Sequence, residues 1–173
     1  MKQCTIPFEK EDRLSLRIYD QLMVSGTILV ARDKAHQKLE ELIIQGKELP
    51  ISLVNQTIYY MGPARKKEGD VIGSCGPTTS ARMDPFTPLL MEHGLMVTIG
   101  KGPRNTSVVD AIVRHQGVYL VAFGGCGALY AGCVKSMRPI AFEELGPEAL
   151  IEIVVEDFPV IVGIDSTGNS TFT

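Results

Sequence analysis

The sequence predicts an α/β fold: a single layered domain around a mixed, largely parallel sheet. Three observations support that expectation. Apolar, partly β-branched runs recur along the chain, each followed by a polar or glycine-rich loop and then a helical pattern, about four times over. The 173 residues suffice for one domain of ordinary size. Apolar residues at 45% and charged residues at 21% fit a folded globular chain and exclude an intrinsically disordered one.

The elements follow in order. Thr27 to Ala31 is apolar and β-branched and predicts a strand. Asp33 is placed to cap a helix starting at Lys34, where Ala35, Leu39, Leu42 and Ile43 share one face and Gly46 supplies the stop. Pro50–Val54 and Thr57–Met61 predict short strands, the second ended by Gly62-Pro63. Val71–Cys75 predicts a strand running into Gly76-Pro77-Thr78-Thr79-Ser80. Asp84 then predicts an N-cap with Pro85 at the first helical position, for a helix carrying Phe86, Leu89 and Leu90 and ending at Gly94. Leu95–Ile99 returns as a strand before Gly100-Lys101-Gly102. A helix over Ser107–His115 and a strand over Val118–Phe123 lead into a small-residue loop, Gly124 to Ala128. Ile151–Val155 and Val160–Ile164 predict two more strands, and Asp165 to Asn169 a turn. No linker divides residues 1–173, so one domain is expected, with 1–13 and 169–173 prone to fraying.

Charge and composition bound the function. Seventeen Lys and Arg against 20 Asp and Glu give a net charge of -3, which makes no electrostatic case for nucleic acid. No run approaches the roughly 18 apolar residues of a membrane span, and the charged first 20 residues lack the apolar core of a secretory signal. Cys4, Cys75, Cys126 and Cys133 are widely spaced, so a reducing cytoplasm is expected. They form no C-x-x-C pair, and no self-contained metal site is legible. Arg65-Lys66-Lys67 is a short basic run and reads as a solvated turn.

In sheets of this class ligands bind beyond the carboxyl ends of strands. Three loops meet that description: Ala31-Arg32-Asp33, Gly76 to Arg82, and Gly100-Lys101-Gly102. In the middle loop glycine and proline fix the backbone ahead of three consecutive hydroxyls, and Arg82 offers a planar fork for a carboxylate. A turn whose hydroxyls cap backbone amides is the plainer alternative there. Lys101, between two glycines, is either a point charge with room for a ligand or an exposed turn lysine. Arg32 is a second fork or the partner of a nearby acid such as Asp33, and His36 reads as a packing residue. Neither Gly100-Lys101-Gly102 nor Gly124-Gly125-Cys126-Gly127 matches a phosphate-binding fingerprint. Together Arg32, Arg82 and Lys101, with Thr78 and Thr79 nearby, suit a small dicarboxylate and proton abstraction beside a carboxylate, whose growing charge fixed cations stabilise. An obvious general base and a Lewis acid are missing from this set.

The stretches SGTILVARDKAH (25–36), NQTIYYMGPA (55–64), IGSCGPTTSARMD (72–84), IGKG (99–102), FEELGPEAL (142–150) and VEDFPVIVGIDSTGN (155–169) resemble the class I, iron–sulfur fumarate hydratases, over nearly the whole chain. They are similar to that family's C-terminal domain, which two-chain members carry as a separate β subunit. L(+)-tartrate dehydratase β subunits share most of these stretches, but Asp84 after Arg82-Met83 and the C-terminal third look closer to fumarase. The resemblance implies a swivelling β/β/α domain and reversible hydration of fumarate to malate at a site shared with a larger α subunit. It implies that the α subunit carries three cysteines and a [4Fe-4S] cluster acting as Lewis acid. Carried over by motif, Arg32, Arg82 and Lys101 match substrate-binding cations, and Thr78 matches a threonine of proton transfer, with Thr79 beside it. At Cys126 and Gly127 the sequence departs from the alanines common in the family; Cys126 and Cys75 read as small buried residues. Two other functions stay open: a tartrate dehydratase β subunit, and a stand-alone module that binds a dicarboxylate without any partner.

Overall fold

The period-2 alternation of apolar side chains sets where each strand faces, and the alternation here serves two cores. In the computed structural model, which describes residues 1–172, the strands are β1 (Lys2–Ile6), β2 (Gln21–Val30), β3 (Thr57–Tyr59), β4 (Val97–Gly100), β5 (Val118–Val121), β6 (Val134–Ala141) and β7 (Leu150–Ile164). Ile28 and Val30 of β2, Tyr59 of β3, Ile99 of β4 and Leu120 of β5 join one buried cluster with Ile153, Phe158 and Val162 of β7. Their alternating neighbours Leu29, Ile58 and Tyr60 face a second cluster under the helices. Each fully buried aliphatic side chain contributes roughly 1.5–3 kcal/mol relative to an exposed one.

The sheet is mixed with mostly parallel strands, in the order β1-β2-β3-β4-β5-β7-β6. β1 to β5 pair in parallel along that order. β7 is antiparallel to β2, β5 and β6. Because β7 bonds to both β2 and β5, the pairing β2-β3-β4-β5-β7 closes on itself, and the first cluster fills the inside of that circuit. Outside it, helices α2 (Asp33–Ile44) and α3 (Thr87–Glu92) cover the second cluster, and α4 (Thr106–His115) covers a third around Tyr119 and Ile164. Short helices α1 (Lys10–Ser15) and α5 (Gly127–Cys133) are the other α-helices, and 3-10 helices span Ser80–Met83 and Glu143–Glu148. Among the described residues no helix is long and apolar enough to cross a membrane.

Several expected elements differ. Pro50–Val54 is irregular and leads into a turn at Val54-Asn55, with Asn55 left-handed at φ 57° and its amide donating to the Gly94 carbonyl. Val71–Cys75 is irregular, although Ile72 and Cys75 are buried. Asp33 lies inside α2 rather than capping it, Arg32 being the N-cap. Asp84 is not the N-cap of the next helix but the C-cap of the 3-10 helix Ser80–Met83; α3 starts after Phe86, with Pro88 in its first turn. The loop after β5 contains the helix α5. The two strands of the last third are one, β7, with a bulge at the polar residues Glu156 and Asp157 that breaks the apolar pattern. β6 carries no strand signature in the sequence because it is an edge strand, polar and proline-bearing, with little side-chain burial. Asp165 to Asn169 forms the expected turn, held by bonds from Thr167 and Asn169 to the Asp165 carboxylate. Thr173 lies outside the described residues.

Candidate functional site

Four parallel neighbours have their carboxyl ends on one edge, and the sequence places a distinct loop at each end. Arg32 follows β2, Met61 and Gly62 follow β3, Lys101 follows β4, and Phe123 and Gly124 follow β5. The segment from Thr78 to Arg82 returns across this edge. The Thr78 amide donates to the Tyr60 carbonyl at 2.8 Å, Thr79 bridges to Lys101, and the Ser80 amide donates to the Lys101 carbonyl at 2.9 Å. Lys101 reaches toward Gly124, where an added Cβ would lie 3.9 Å from its Nζ. All five predicted site residues therefore share one edge, with Thr78 half-buried and Thr79 exposed.

Arg82 and Asp33 form a two-bond pair, Nε to Oδ1 and Nη2 to Oδ2, both 3.0 Å. Hydrogen bonding from Arg82 holds the Asp33 carboxyl below the usual range, and Asp33 in turn raises Arg82. One edge of the Arg82 fork, Nε and Nη2, is thus taken, and the side chain as a whole is half exposed. Arg32 Nε stands 3.9 Å from the same carboxylate, an ion pair with the alternative partner Asp33 but too long for a hydrogen bond. This Nε is buried without a hydrogen-bond acceptor. Gly62 makes room for it: a Cβ there would lie 2.6 Å from Nη1 and 2.9 Å from Cδ of Arg32. A buried guanidinium N–H with no hydrogen-bond acceptor is a costly feature.

His36 is fully buried, as a packing residue should be. Its Nδ1 donates to the Arg32 carbonyl at 2.7 Å, since a carbonyl only accepts, while Nε2 is unpartnered. Its ring stands edge-on to Tyr60 at 5.4 Å and near Phe86 at 5.7 Å. Burial pushes its pKa down to about 4.

Beneath the loops lies a feature that sequence reasoning missed. Arg104, with 0% side-chain exposure, pairs with Asp84 at 2.6 Å and donates to Thr98, Tyr60 and Thr87. In sequence Arg104 stands in the polar run Gly102-Pro103-Arg104-Asn105 and resembles any solvated loop residue; only Asp84, assigned above to a cap, carried a signal.

The cysteines do not gather at this edge. The buried Cys75 thiol, its pKa pushed up to about 12 by burial, donates to the Gly73 carbonyl, and Cys4, Cys126 and Cys133 pack against the inner core. Among the described residues no three His, Cys, Asp or Glu side chains converge, so this donor set does not fit a [4Fe-4S] cluster.

A family model described as the fumarase C-terminus matches residues 4–173. The chain is 46% identical over 154 residues to the anaerobic class I fumarate hydratase of Escherichia coli K12, covering 88% of this chain and 28% of that protein. It is 43% identical over 155 residues to fumarate hydratase 2 of Leishmania major, covering 88% of this chain and 27% of that protein. It therefore spans little more than a quarter of these two relatives' length. A putative L(+)-tartrate dehydratase subunit beta of Methanocaldococcus jannaschii is 40% identical over 169 residues, 94% of this chain and 87% of that protein.

Proposed function

This chain belongs to the fumarase C-terminal family, and we propose that it is the β subunit of a two-chain class I fumarate hydratase. One observation carries that proposal: Arg32, Arg82 and Lys101 lie along one strand edge with Thr78 and Thr79, and the buried Arg32 Nε–H has no hydrogen-bond acceptor. The closed strand circuit with helices outside is taken as the swivelling β/β/α domain of the family. Four free cysteines fit a reducing cytoplasm.

Hydration adds a proton to one alkene carbon of fumarate and a hydroxyl to its neighbour, giving (S)-malate. In the reverse direction a proton leaves the carbon beside a carboxylate, whose oxygens take up the charge. Cations fixed before the reaction stabilise that charge without reorganising. Arg32 and Arg82 present planar donors to the two carboxylates, and Lys101 adds a compact charge between them. Thr78, half-buried and anchored through its amide, is the hydroxyl assigned to proton transfer, with Thr79 as its exposed neighbour. A threonine hydroxyl is a weak base at its ordinary pKa, so the adjacent cations must favour its ionised form. Because this chain's donors do not fit it, the [4Fe-4S] cluster and the Lewis acid it supplies are assigned to the larger α subunit.

The test is to copurify the chain with that partner without oxygen and follow fumarate and malate. Interconversion is expected, with the isolated chain inactive. No turnover of fumarate or tartrate by a complex with intact cluster would overturn the proposal. The Methanocaldococcus relative favours one second reading, tartrate dehydratase, and preferential turnover of L(+)-tartrate would establish it.

Gly62→Ala tests Arg32 through its surroundings. The added methyl meets the flexible end of Arg32 rather than backbone, so the fold survives while the guanidinium moves. A fall in kcat/KM on the order of tenfold is expected with little change in melting temperature.

A further inference from the structure

Arg104 is an expensive residue to bury. Removing a guanidinium from water costs several kcal/mol, and a buried ion pair seldom returns more stability than well-packed apolar residues would. What such a pair does offer is fixed geometry, and here Asp84, Tyr60 and Tyr119 around Arg104 each lead to a loop of the candidate site.

Asp84 directly follows Arg82 and Met83, and holds Arg104 Nε through one oxygen and the Asn105 amide, at 2.8 Å, through the other. The far end of the Thr78–Asp84 segment is thereby pinned. The guanidinium lies over the Tyr60 ring at 5.2 Å and the Tyr119 ring at 4.9 Å. Tyr60 carries the carbonyl that accepts from Thr78 and packs against His36, whose Nδ1 holds the Arg32 carbonyl. The Tyr119 hydroxyl donates to the Gly102 carbonyl at 2.8 Å, which leaves the Ser80 hydroxyl to donate to it, also at 2.8 Å. Gly100 has no Cβ because one there would collide with Ser80 Oγ and approach Tyr60 Cδ2 to 2.9 Å.

We propose that Arg104 is a positioning residue: held by Asp84 and stacked on Tyr60 and Tyr119, it keeps the Thr78–Arg82 segment and Lys101 in register so that both face one anion. This rests on the dicarboxylate site proposed above. Arg104 touches no substrate and acts through the backbone of Ser80, Lys101 and Gly102. Displacing a charge in such a site by an ångström costs up to ~10²-fold in rate.

Two variants test it, in the complex for kinetics and in this full chain for amide exchange. Tyr119→Phe removes the hydroxyl that joins Ser80 to Gly102 and leaves the stacking intact. It should speed exchange of the Ser80 amide roughly tenfold, leave β1 unchanged, and lower kcat about tenfold. Arg104→Lys keeps the charge but loses the fork, and should do the same more strongly. The decisive readout is a double-mutant cycle: the kcat cost of Tyr119→Phe should largely vanish in a Lys101→Met background. Unchanged exchange at Ser80, or a kinetic cost fully additive with Lys101→Met, would overturn the proposal. A wild-type complex inactive on both substrates would instead count against the function, while the exchange measurement still decides whether Arg104 and Tyr119 hold the two loops together.

Discussion

Arg82→Met should lower kcat/KM for fumarate by roughly 10²–10³-fold, the loss typical of removing one preorganised donor to developing charge. The domain should stay folded. The Arg82 side chain is 47% exposed, and its pair with Asp33 is a surface pair, which contributes little to stability. Asp33 is not stranded by the change, because it lies in the first turn of α2, where the helix dipole favours a carboxylate. Arg82→Lys should recover only a small part of the activity, since an ammonium cannot hold Asp33 with one edge and an anion with the other. A melting temperature within a few degrees of wild type, together with the kinetic loss, is the expected pair of results. A kcat/KM within threefold of wild type would remove Arg82 from the site.

How much of this was legible in the sequence depends on what signal each residue sends. Arg32 and Lys101 stood out because a cation directly after a buried strand has one plausible exit, the strand's carboxyl end, and parallel pairing then brings those ends together. The Thr78–Arg82 loop stood out through glycine, proline and hydroxyl density. That Asp33 would occupy one edge of Arg82 was not legible: the residues are 49 positions apart, and Asp33 is also a good helix-start residue. Arg104 was hidden for a similar reason. Nothing in Pro103-Arg104-Asn105 distinguishes a buried guanidinium lying over two tyrosine rings from one in water. The closure of the sheet escaped because it depends on β7 pairing with β2 across 120 and more residues, and alternation along one strand says nothing of its partner.

His36 supplies the second large effect, on stability rather than rate. Its imidazole is buried against Tyr60 and Phe86, and burial holds its folded pKa at about 4 against an ordinary 6.5; the Arg32 carbonyl opposes that shift and the nearby Arg104 charge adds to it. The unfolded chain therefore takes up the proton first as pH falls. The stabilisation is fully present above about pH 6.5 and is lost progressively toward pH 4, roughly 3 kcal/mol in all. Asp33, held low by Arg82, contributes in the same direction but only at lower pH, through the carboxylate range. His36→Gln separates the two, because an amide can still donate to the Arg32 carbonyl and does not titrate. Chemical denaturation at pH 7 and pH 4.5 should show wild type losing about 2 kcal/mol more than His36→Gln over that interval. Parallel losses in the two chains would mean that His36 is hydrated or shifts out of its pocket on protonation. Its grip on the backbone of Arg32 would then be too loose to set where that cation points.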